Sequence, residues 1–265
     1  MFATLRTALD RHPALKSAAR AMLRPLRRGI SSDYQPLAEG ERSAILGALE
    51  DAWKDDDIPH LQREVVEKAL ADYRSGKPLP AFDCLVELLQ PLARAVPGQT
   101  LLEVGCSSGY YAEVIAMRGL DLRYAGCDFS PAFVDLAKRC HPANDFDIAD
   151  ATALPYGDGS FDIVVSGCCL LHIPNYARAI TETARVARRH VLFHRTPVLH
   201  AQLTRYFTKR AYGVRTVEIH FQESELVARF ASAGLRVVAV STLEVDWRYG
   251  DAFASKSYLC EKKVS

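Results

Sequence analysis

Short apolar runs alternate with amphipathic stretches over most of the chain downstream of residue 98. Runs rich in Val, Ile, Leu and Cys are typical of strands buried on both faces, and apolar residues three and four positions apart indicate helices. The pattern predicts seven strands, at Thr100–Val104, Leu122–Cys127, Phe146–Ala149, Phe161–Gly167, His190–His194, Leu235–Val245 and Ser257–Glu261. It predicts intervening helices at Tyr110–Arg118, Pro131–Cys140, Tyr176–Ala187 and Ser224–Ala233. Strands alternating with helices form a parallel sheet covered on both faces, so the expected fold class is α/β.

Helical periodicity also precedes the predicted sheet. It indicates helices at Glu39–Lys54, Leu61–Tyr73 and Phe82–Ala95, after a polar linker at Ser31–Ala38. We therefore expect an N-terminal helical extension or lid over residues 1–75 and an α/β domain over residues 76–265. Between the fifth and sixth strands, the sequence predicts a helix at His200–Ala211 and a short extended segment at Arg215–Phe221.

A tight turn joins the first predicted strand to the helix that follows it. Gly105 and Gly109 frame the turn, and a glycine-rich turn between a strand and a helix lets a ligand approach the backbone and the helix N-terminus. The spacing lacks the G-x-G-x-x-G pattern of dinucleotide sites, and Glu103 at the strand end would repel a phosphate. A carboxylate in this position suits a ligand that carries an ammonium group instead.

Asp128 ends the second predicted strand, 19 residues after Gly109. A carboxylate in this position can accept hydrogen bonds from two ribose hydroxyls. A nucleoside that has an amino-acid tail and no phosphate is S-adenosylmethionine, which we therefore expect as the cofactor.

Four segments, in order, resemble the class I S-adenosylmethionine-dependent methyltransferases: LLEVGCSSG, YAGCDFSPAFVDLAKR, FDIADATALPYGDGSFDIVVSGCCLLHIPN and the closing pattern from Val191 to Cys260. The resemblance covers roughly Phe82 to Lys262. It implies a Rossmann-like, seven-stranded, mostly parallel sheet with helices on both faces, preceded by the N-terminal helical extension. It also implies that the last strand inserts antiparallel between the fifth and sixth strands, and that the protein is an S-adenosylmethionine-dependent enzyme.

The resemblance assigns the methionine part of the cofactor to the glycine-rich turn. Gly105, Cys106 and Gly109 would wrap this part, and Glu103 would face its amino group. Many family members have a third glycine where Ser107 stands here, so the loop geometry is expected to differ slightly.

The adenosine part is assigned to the following strand ends. Asp128 would bind the ribose diol, and Phe129 would cover one face of the adenine. Asp150 would accept a hydrogen bond from the adenine amino group, and Ala151 would offer its backbone N–H to the ring. Cys168, at the end of the fourth strand, would lie beside the methyl group. Cys168 and its neighbour Cys169 lack the further ligands of a zinc site, so no metal is expected.

Two histidines are candidate general bases. Methyl transfer from a sulfonium is an in-line displacement that needs mainly orientation and desolvation, but a hydroxyl acceptor also benefits from a base. His172 lies just past the fourth strand and His194 ends the fifth, so both are expected near the acceptor. His172 falls in LLHIP, a pattern common in the family, where the ring can instead hydrogen-bond a loop.

Basic and aromatic residues after the fifth strand are candidates for acceptor binding. Arg195, Tyr206, Arg210 and Tyr212 suit an anionic or sugar-like acceptor. Two alternatives remain open for them: Arg195 can form a structural salt bridge, and the downstream residues can lie on a solvated basic helix face.

Composition narrows the functional class. The formal net charge of +1 over 265 residues gives no overall attraction to nucleic acid. Seven cysteines without a C-x-x-C pair favour reduced thiols and a cytoplasmic location. Residues 1–30 carry seven basic residues against Asp10 alone, which fits peripheral membrane contact, a transit peptide or a basic extension packed on the body.

The leading hypothesis is transfer of a methyl group to a small-molecule, lipid-linked or glycan acceptor, at oxygen because of the two candidate histidines. The alternative is a catalytically silent S-adenosylmethionine-binding protein with a regulatory or scaffold role. No motif identifies the acceptor or the oligomeric state, because one fold serves many unrelated acceptors.

Overall fold

The computed structural model of the protein describes residues 31–263. Ten strands in this range belong to one sheet: β1 (Ser31–Pro36), β2 (Gln99–Val104), β3 (Leu122–Asp128), β4 (Asp145–Ile148), β5 (Phe161–Gly167), β6 (Ala187–Leu199), β7 (Arg205–Ala211), β8 (Val214–Gln222), β9 (Leu235–Arg248) and β10 (Asp251–Lys262). The helices are α1 (Glu39–Ala48), α2 (Ile58–Arg74), α3 (Pro80–Ala95), α4 (Tyr110–Met117), α5 (Pro131–Cys140), α6 (Tyr176–Val186) and α7 (Glu223–Ser232). Single 3₁₀ turns lie at Ala52–Lys54 and Leu170–His172.

The centre of the sheet is parallel, in the order β4-β3-β2-β5-β6. Helices connect these strands on both faces, which confirms the predicted α/β class and Rossmann-like arrangement. The chain moves outward from β2 to β4 and then returns to place β5 on the other side of β2. This reversal creates a crevice at the carboxyl ends of β2 and β5, the usual ligand position in such sheets.

The last strand inserts as predicted. β10 pairs antiparallel with both β6 and β9, so it lies between them. Phe193 of β6, Phe230 of α7 and Tyr258 of β10 are fully buried there, with the two phenylalanine rings stacked at 4.3 Å. This packing fixes β6, whose carboxyl half extends toward the crevice.

The strand count differs from the prediction, because β1, β7 and β8 add an antiparallel extension to one end of the sheet. The predicted helix at His200–Ala211 is wrong: this stretch contains β7. The predicted polar linker at Ser31–Ala38 is wrong as well, since it contains β1, which pairs with β7. In segments this short, the apolar residues fit both the helical period and the strand period. Pairing with a neighbouring strand then selects the strand.

A two-residue turn explains why β7 and β8 form a hairpin. Tyr212 and Gly213 connect them, with φ of 49° and 88°. Two consecutive residues with positive φ match the right-handed twist of paired strands, and glycine adopts this conformation without a Cβ penalty. The hairpin forms one wall of the cavity described below.

The N-terminal part of the described chain contributes β1, α1 and α2. The domain boundary near residue 75 stays a prediction, although β1, which precedes it, belongs to the sheet. The basic segment of residues 1–30 lies outside the described residues, so its predicted membrane contact also stays a prediction. Within residues 31–263, the helices are too short or too polar to cross a bilayer.

Candidate functional site

A cavity of about 1070 Å³ opens at the carboxyl ends of the parallel strands. We call one part the cofactor half, lined by Gly105, Ser107, Asp128, Phe129, Asp150 and Ala151. The other part is the acceptor chamber, lined by Tyr34, Trp53, His172, Arg195, Lys209, Tyr212 and Glu218. The volume exceeds the usual range for one small ligand, so it has room for two.

Asp128 is held rigidly at the end of β3. Its Oδ2 accepts the backbone N–H of Ser107 at 2.8 Å, and its Oδ1 accepts that of Ser130 at 2.9 Å. Burial raises the pKa of Asp128 to about 6. Each oxygen retains lone pairs, so an ionised carboxylate here can accept two more hydrogen bonds from a ligand.

Asp150 lies two residues after the end of β4 and lines the cavity. Its Oδ1 accepts the backbone N–H of Thr152 at 2.7 Å and the Thr152 hydroxyl at 2.8 Å, which fixes the side chain in a turn. Ala151 and Phe129 line the wall beside it. The structure therefore brings the four residues predicted around the adenosine to one half of the cavity.

Glu103 lies beneath the wall rather than on it. The side chain is 1% exposed, and the Tyr124 hydroxyl donates a hydrogen bond of 2.5 Å to its Oε2. Burial raises the pKa of Glu103 well above its ordinary value, which favours the protonated form of the acid. Its Oε1 lies so close to Gly167 that a Cβ added to this glycine would be 2.9 Å from it. Gly167 lines the cavity, so the absent side chain brings the acid to the cavity edge.

The glycine-rich turn depends on close approaches that only glycine allows. Gly105 has a φ of 72°, and a Cβ there would be 2.3 Å from the Cys169 sulfur. Gly109, with a φ of 70°, begins α4 and does not line the cavity. Cys106 is fully buried and is also absent from the wall. Of the three residues predicted to wrap the methionine part, only Gly105 faces the cavity.

Left-handed backbone is concentrated at this cavity. Six non-glycine residues in the described range have positive φ, and four of them line the wall: Ser107, Cys168, Arg195 and Tyr212. Such conformations cost free energy and persist where the surrounding structure enforces them, which is frequent at functional sites. Ser107 thus adopts the conformation for which other proteins of the resembled type use glycine.

His172 lies on the wall of the acceptor chamber. Its Nδ1 is 2.7 Å from the Val217 carbonyl oxygen, so Nδ1 carries the proton and Nε2 keeps a free lone pair. The Trp53 ring lies 4.7 Å away, centroid to centroid. Burial and the nearby Lys209 ammonium lower the pKa of His172 to about 4. The ring is therefore neutral at pH 7 and able to accept a proton.

The structure does not bring His194 to the cavity, which corrects the prediction that both histidines reach the acceptor. The side chain is 1% exposed, and its Nδ1 is 2.9 Å from the Ser257 hydroxyl. The Tyr111 ring packs on it at 5.6 Å. Burial lowers the pKa of His194 to about 3, so the ring is a neutral core residue.

The predicted acceptor-binding residues separate into two groups. Arg195 and Tyr212 line the cavity, whereas Tyr206 and Arg210 do not. Because β7 is a strand, residues 206 and 210 point to the face opposite that of residue 209. Tyr206 packs under the Arg42 guanidinium, 4.3 Å from its ring centroid, and Arg210 is exposed.

Sequence reasoning missed a buried charged cluster in the chamber. Lys209 and Glu218 are each 6% exposed and form an ion pair across the β7–β8 hairpin. The Tyr34 hydroxyl donates to Glu218 Oε2 at 3.1 Å, and His220 Nε2 lies 2.8 Å from Oε1. These donors hold the pKa of Glu218 well below its ordinary value. The signal was present as two polar residues, Glu218 and His220, that alternate with apolar ones along β8, but Lys209 and Tyr34 come from other strands.

Comparison with known proteins gives the class of the central domain. Residues 102–193 match the family model described as a methyltransferase domain. A demethylmenaquinone methyltransferase of Renibacterium salmoninarum is 39% identical over 94 residues, which are 36% of this chain and 39% of the relative. The ajmaline N-methyltransferase of Rauvolfia serpentina is 34% identical over 95 residues, which are 34% of this chain and 32% of that protein. The match over residues 102–193 therefore agrees with the resemblance to the class I S-adenosylmethionine-dependent methyltransferases.

One solved structure superposes on most of this chain. The 1,6-didemethyltoxoflavin-N1-methyltransferase of Burkholderia thailandensis superposes with a TM-score of 0.52 at 17% identity, over 88% of this chain and 94% of that one. At this identity the likeness shows the fold alone. The matches to the two curated relatives span about a third to two fifths of their lengths, so those relatives do not fix the acceptor.

The hydrogen-bond acceptors at the cofactor half fit S-adenosylmethionine, the cofactor of this class. Three acids stand at the ends of adjacent parallel strands: Glu103 of β2, Asp128 of β3 and Asp150 after β4. The ammonium, ribose hydroxyls and adenine amino group of this cofactor are all hydrogen-bond donors. In the described range, the buried Ser107 hydroxyl also has no protein partner, which leaves a polar atom on the wall for a ligand.

Proposed function

We propose that this protein transfers a methyl group from S-adenosylmethionine to a small molecule bound in the acceptor chamber. The single observation that carries the proposal is the continuity of the cavity. It joins the acid-lined ends of β3 and β4 to a chamber with ionised groups and a neutral histidine. A cofactor-binding protein without turnover would need no second chamber of this polarity.

The cofactor is proposed to lie over the ends of the parallel strands. Asp128 binds the ribose diol, and Asp150 and Ala151 bind the adenine edge. Glu103, which approaches the cavity edge beside Gly167, would face the ammonium group. Phe129 covers the adenine, with the Lys54 ammonium 3.9 Å from the centroid of its ring. When bound, this cofactor supplies a methyl group that its sulfonium has already activated.

The chain's own residues then orient the acceptor and exclude water. Cys168, at the end of β5, lies where the two halves of the cavity meet. His172 presents an unprotonated Nε2, which we propose takes the proton from an acceptor hydroxyl as the oxygen attacks. Oxygen is therefore our proposed acceptor atom. The proposed classes of acceptor are small molecules, including lipid-linked and glycan precursors.

The cellular setting is part of the same proposal. A cytoplasmic location rests on the cysteine pattern of the sequence. Membrane contact through residues 1–30 would bring the chamber close to a lipid-linked acceptor.

The first experiment is calorimetric titration of the full-length protein with S-adenosylhomocysteine, with NAD as the control. We expect saturable binding of the first compound and none of the second. A subsequent screen with radiolabelled S-adenosylmethionine measures transfer to candidate acceptors. Failure to bind S-adenosylhomocysteine would contradict the cofactor assignment. Binding without transfer to any acceptor, together with a stable protein partner, would favour the regulatory or scaffold alternative.

A further inference from the structure

Arg195 is a cavity-lining cation with uncharged neighbours. Within residues 31–263, no carboxylate lies within ion-pair distance of its guanidinium. The groups that surround it include the phenols of Tyr110 and Tyr111. Burial raises the pKa of Tyr111 to about 12 and that of Tyr110 well above its ordinary value, so both phenols stay protonated. An enclosed guanidinium without a counter-charge favours an anionic ligand.

The other acids of the chamber cannot supply this counter-charge. Glu218 is already paired with Lys209 and also accepts hydrogen bonds from Tyr34 and His220. The second cation, Lys209, has three N–H donors, so donors remain beyond the one used by Glu218. Glu218 thus acts as a positioning residue that holds Lys209 against the cavity wall.

A third chamber-lining cation is already neutralised. Arg248 lies 3.4 Å from Glu244 and 3.3 Å from Asp246. It therefore adds no unbalanced charge. The free positive charge of the acceptor chamber is concentrated at Arg195, and both Arg195 and Lys209 act electrostatically on the Tyr212 hydroxyl.

The walls between these cations are flat and aromatic. The Trp53 ring lies 4.7 Å from that of His172 and 6.5 Å from that of Tyr212. In the described range, the buried Trp53 Nε1–H has no acceptor, and the Oε1 of Gln62 on the same wall has no donor. A planar ligand that bears both an acceptor oxygen and a hydroxyl would satisfy both atoms.

We propose that the methyl acceptor is a planar small molecule with an oxyanion, either a carboxylate or an ionised hydroxyl, held by Arg195 and Lys209. This inference rests on the proposed methyltransferase function, which assigns the chamber to the acceptor. It adds the charge and shape of the acceptor and names two specificity-determining residues. Charge-assisted hydrogen bonds from a guanidinium and an ammonium favour an anion over a neutral molecule of the same shape by at least about tenfold.

The test uses three probes of nearly equal size: 4-hydroxybenzoate, 4-hydroxybenzamide and benzoate. Each is titrated into the full-length protein saturated with S-adenosylhomocysteine. We expect 4-hydroxybenzoate to bind about tenfold or more tightly than its neutral amide. Benzoate, which lacks the hydroxyl, tests the carboxylate alone, and retained binding of benzoate assigns the cations to a carboxylate. Equal binding of 4-hydroxybenzoate and 4-hydroxybenzamide, together with loss of benzoate binding, would instead assign the cations to the hydroxyl oxygen that both compounds carry. Equal affinity for all three probes would overturn the proposal.

Two substitutions of Arg195 test whether this residue causes the preference for the anionic probe. Arg195→Met should reduce the preference for the anion to less than about threefold and leave S-adenosylhomocysteine affinity unchanged within about twofold. Arg195→Lys should retain part of the preference. A parallel loss of S-adenosylhomocysteine affinity in R195M would assign this arginine to the cofactor carboxylate and overturn its role in the acceptor site.

The role of Lys209 must be tested without leaving its partner Glu218 as an unpaired buried acid. Lys209→Met combined with Glu218→Gln removes both charges of the pair and is expected to fold, which thermal unfolding checks. We expect this double variant to bind 4-hydroxybenzoate about tenfold more weakly, with cofactor affinity unchanged. Unchanged probe binding in the folded variant would remove Lys209 from the proposal. Absence of S-adenosylhomocysteine binding in the wild-type protein would instead refute the proposed function itself.

Discussion

At the scale of single residues, Asp128 couples cofactor binding to pH. Its pKa is about 6 in the folded protein, above the ordinary value for aspartate, because the carboxyl group is buried. Ribose hydroxyls donate hydrogen bonds to the ionised form, so binding is favoured above this pKa and lost below it. Roughly a tenth of the molecules are ionised at pH 5, so S-adenosylhomocysteine affinity should fall about tenfold between pH 8 and pH 5.

Asp128→Asn tests this prediction in the same calorimetric series. The amide keeps the shape of the side chain but cannot ionise. We expect binding at pH 8 to weaken by about 1–3 kcal/mol, and the part of the pH dependence centred near pH 6 to disappear. A wild-type pH profile in the variant would show that another group carries the dependence.

His172 is the residue whose loss should affect rate more than binding. Its neutral ring donates from Nδ1 to the Val217 carbonyl oxygen and leaves Nε2 free. For a hydroxyl acceptor, His172→Ala should lower kcat by about a hundredfold or more and leave S-adenosylhomocysteine affinity nearly unchanged. Because the pKa of His172 is about 4, its protonation should not reduce the wild-type rate between pH 6 and 8.

His194→Ala is the matched comparison for this rate measurement. His194 lies in the core beside Ser257, so this variant should lose stability to thermal unfolding. Once folded, it should keep most of its rate. Equal rate losses in the two folded variants would contradict the separate roles we assign to the two histidines.

Prediction from sequence succeeded for residues whose position depends on one strand and the loop directly after it. Asp128, Asp150 and Ala151 follow parallel strands, so local order along the chain places them in one half of the cavity. Lys209 and Glu218 could not be found in this way. Their pairing depends on the register between β8, which the sequence predicted as an extended segment, and β7, which it predicted as a helix.

At the scale of elements, the β7–β8 hairpin decides which side chains enter the chamber. A helix over residues 200–211 would have placed Tyr206, Lys209 and Arg210 on one face. The strand instead gives period-two alternation, which turns Lys209 inward and Arg210 outward. The Tyr-Gly turn was the one local signal for this hairpin, and helical spacing obscured it.

Gly213→Ala tests the turn that maintains this alternation. Gly213 has a φ of 88° and nothing within 4 Å of an added Cβ, so the cost is conformational rather than steric. We expect a loss of about 1 kcal/mol in the free energy of unfolding, measured by urea denaturation. The matched control is Gly40→Ala in helix α1, which also has open space around it. That change should leave stability unchanged or raise it by up to about 1 kcal/mol.

At the scale of the whole molecule, the fold collects hydrogen-bond acceptors at one end of the cavity and cations at the other. Parallel strands β2 to β4 supply three acids, and the antiparallel extension together with β6 supplies Arg195 and Lys209. The parallel core is the part that resembles known methyltransferases, and it was predictable from the sequence. The antiparallel extension contributes residues to the acceptor chamber. It forms by pairing of segments that are distant in the sequence, so no local sequence pattern predicts it.

Ligand binding should therefore be visible in the stability of the entire protein. At a concentration one hundred times its Kd, S-adenosylhomocysteine should add about 2.7 kcal/mol to the free energy of unfolding. For a chain of this length, this corresponds to a rise in Tm of roughly 5–10 °C. Thermal unfolding with and without ligand measures the shift, and NAD should cause none.

Glu103→Gln separates the stability of the free protein from this ligand effect. Burial raises the pKa of Glu103, and the Tyr124 hydroxyl donates to its Oε2, a bond that a glutamine oxygen can also accept. The Tm of the free variant should thus stay close to that of the wild type. The cofactor ammonium, however, would meet an amide that cannot release a proton and become negative. We expect the shift caused by S-adenosylhomocysteine at a fixed concentration to shrink by at least half, since weaker binding adds less free energy. An unchanged shift would show that the ammonium group binds elsewhere, whereas a large drop in the Tm of the free variant would show that Glu103 is ionised in the unliganded protein.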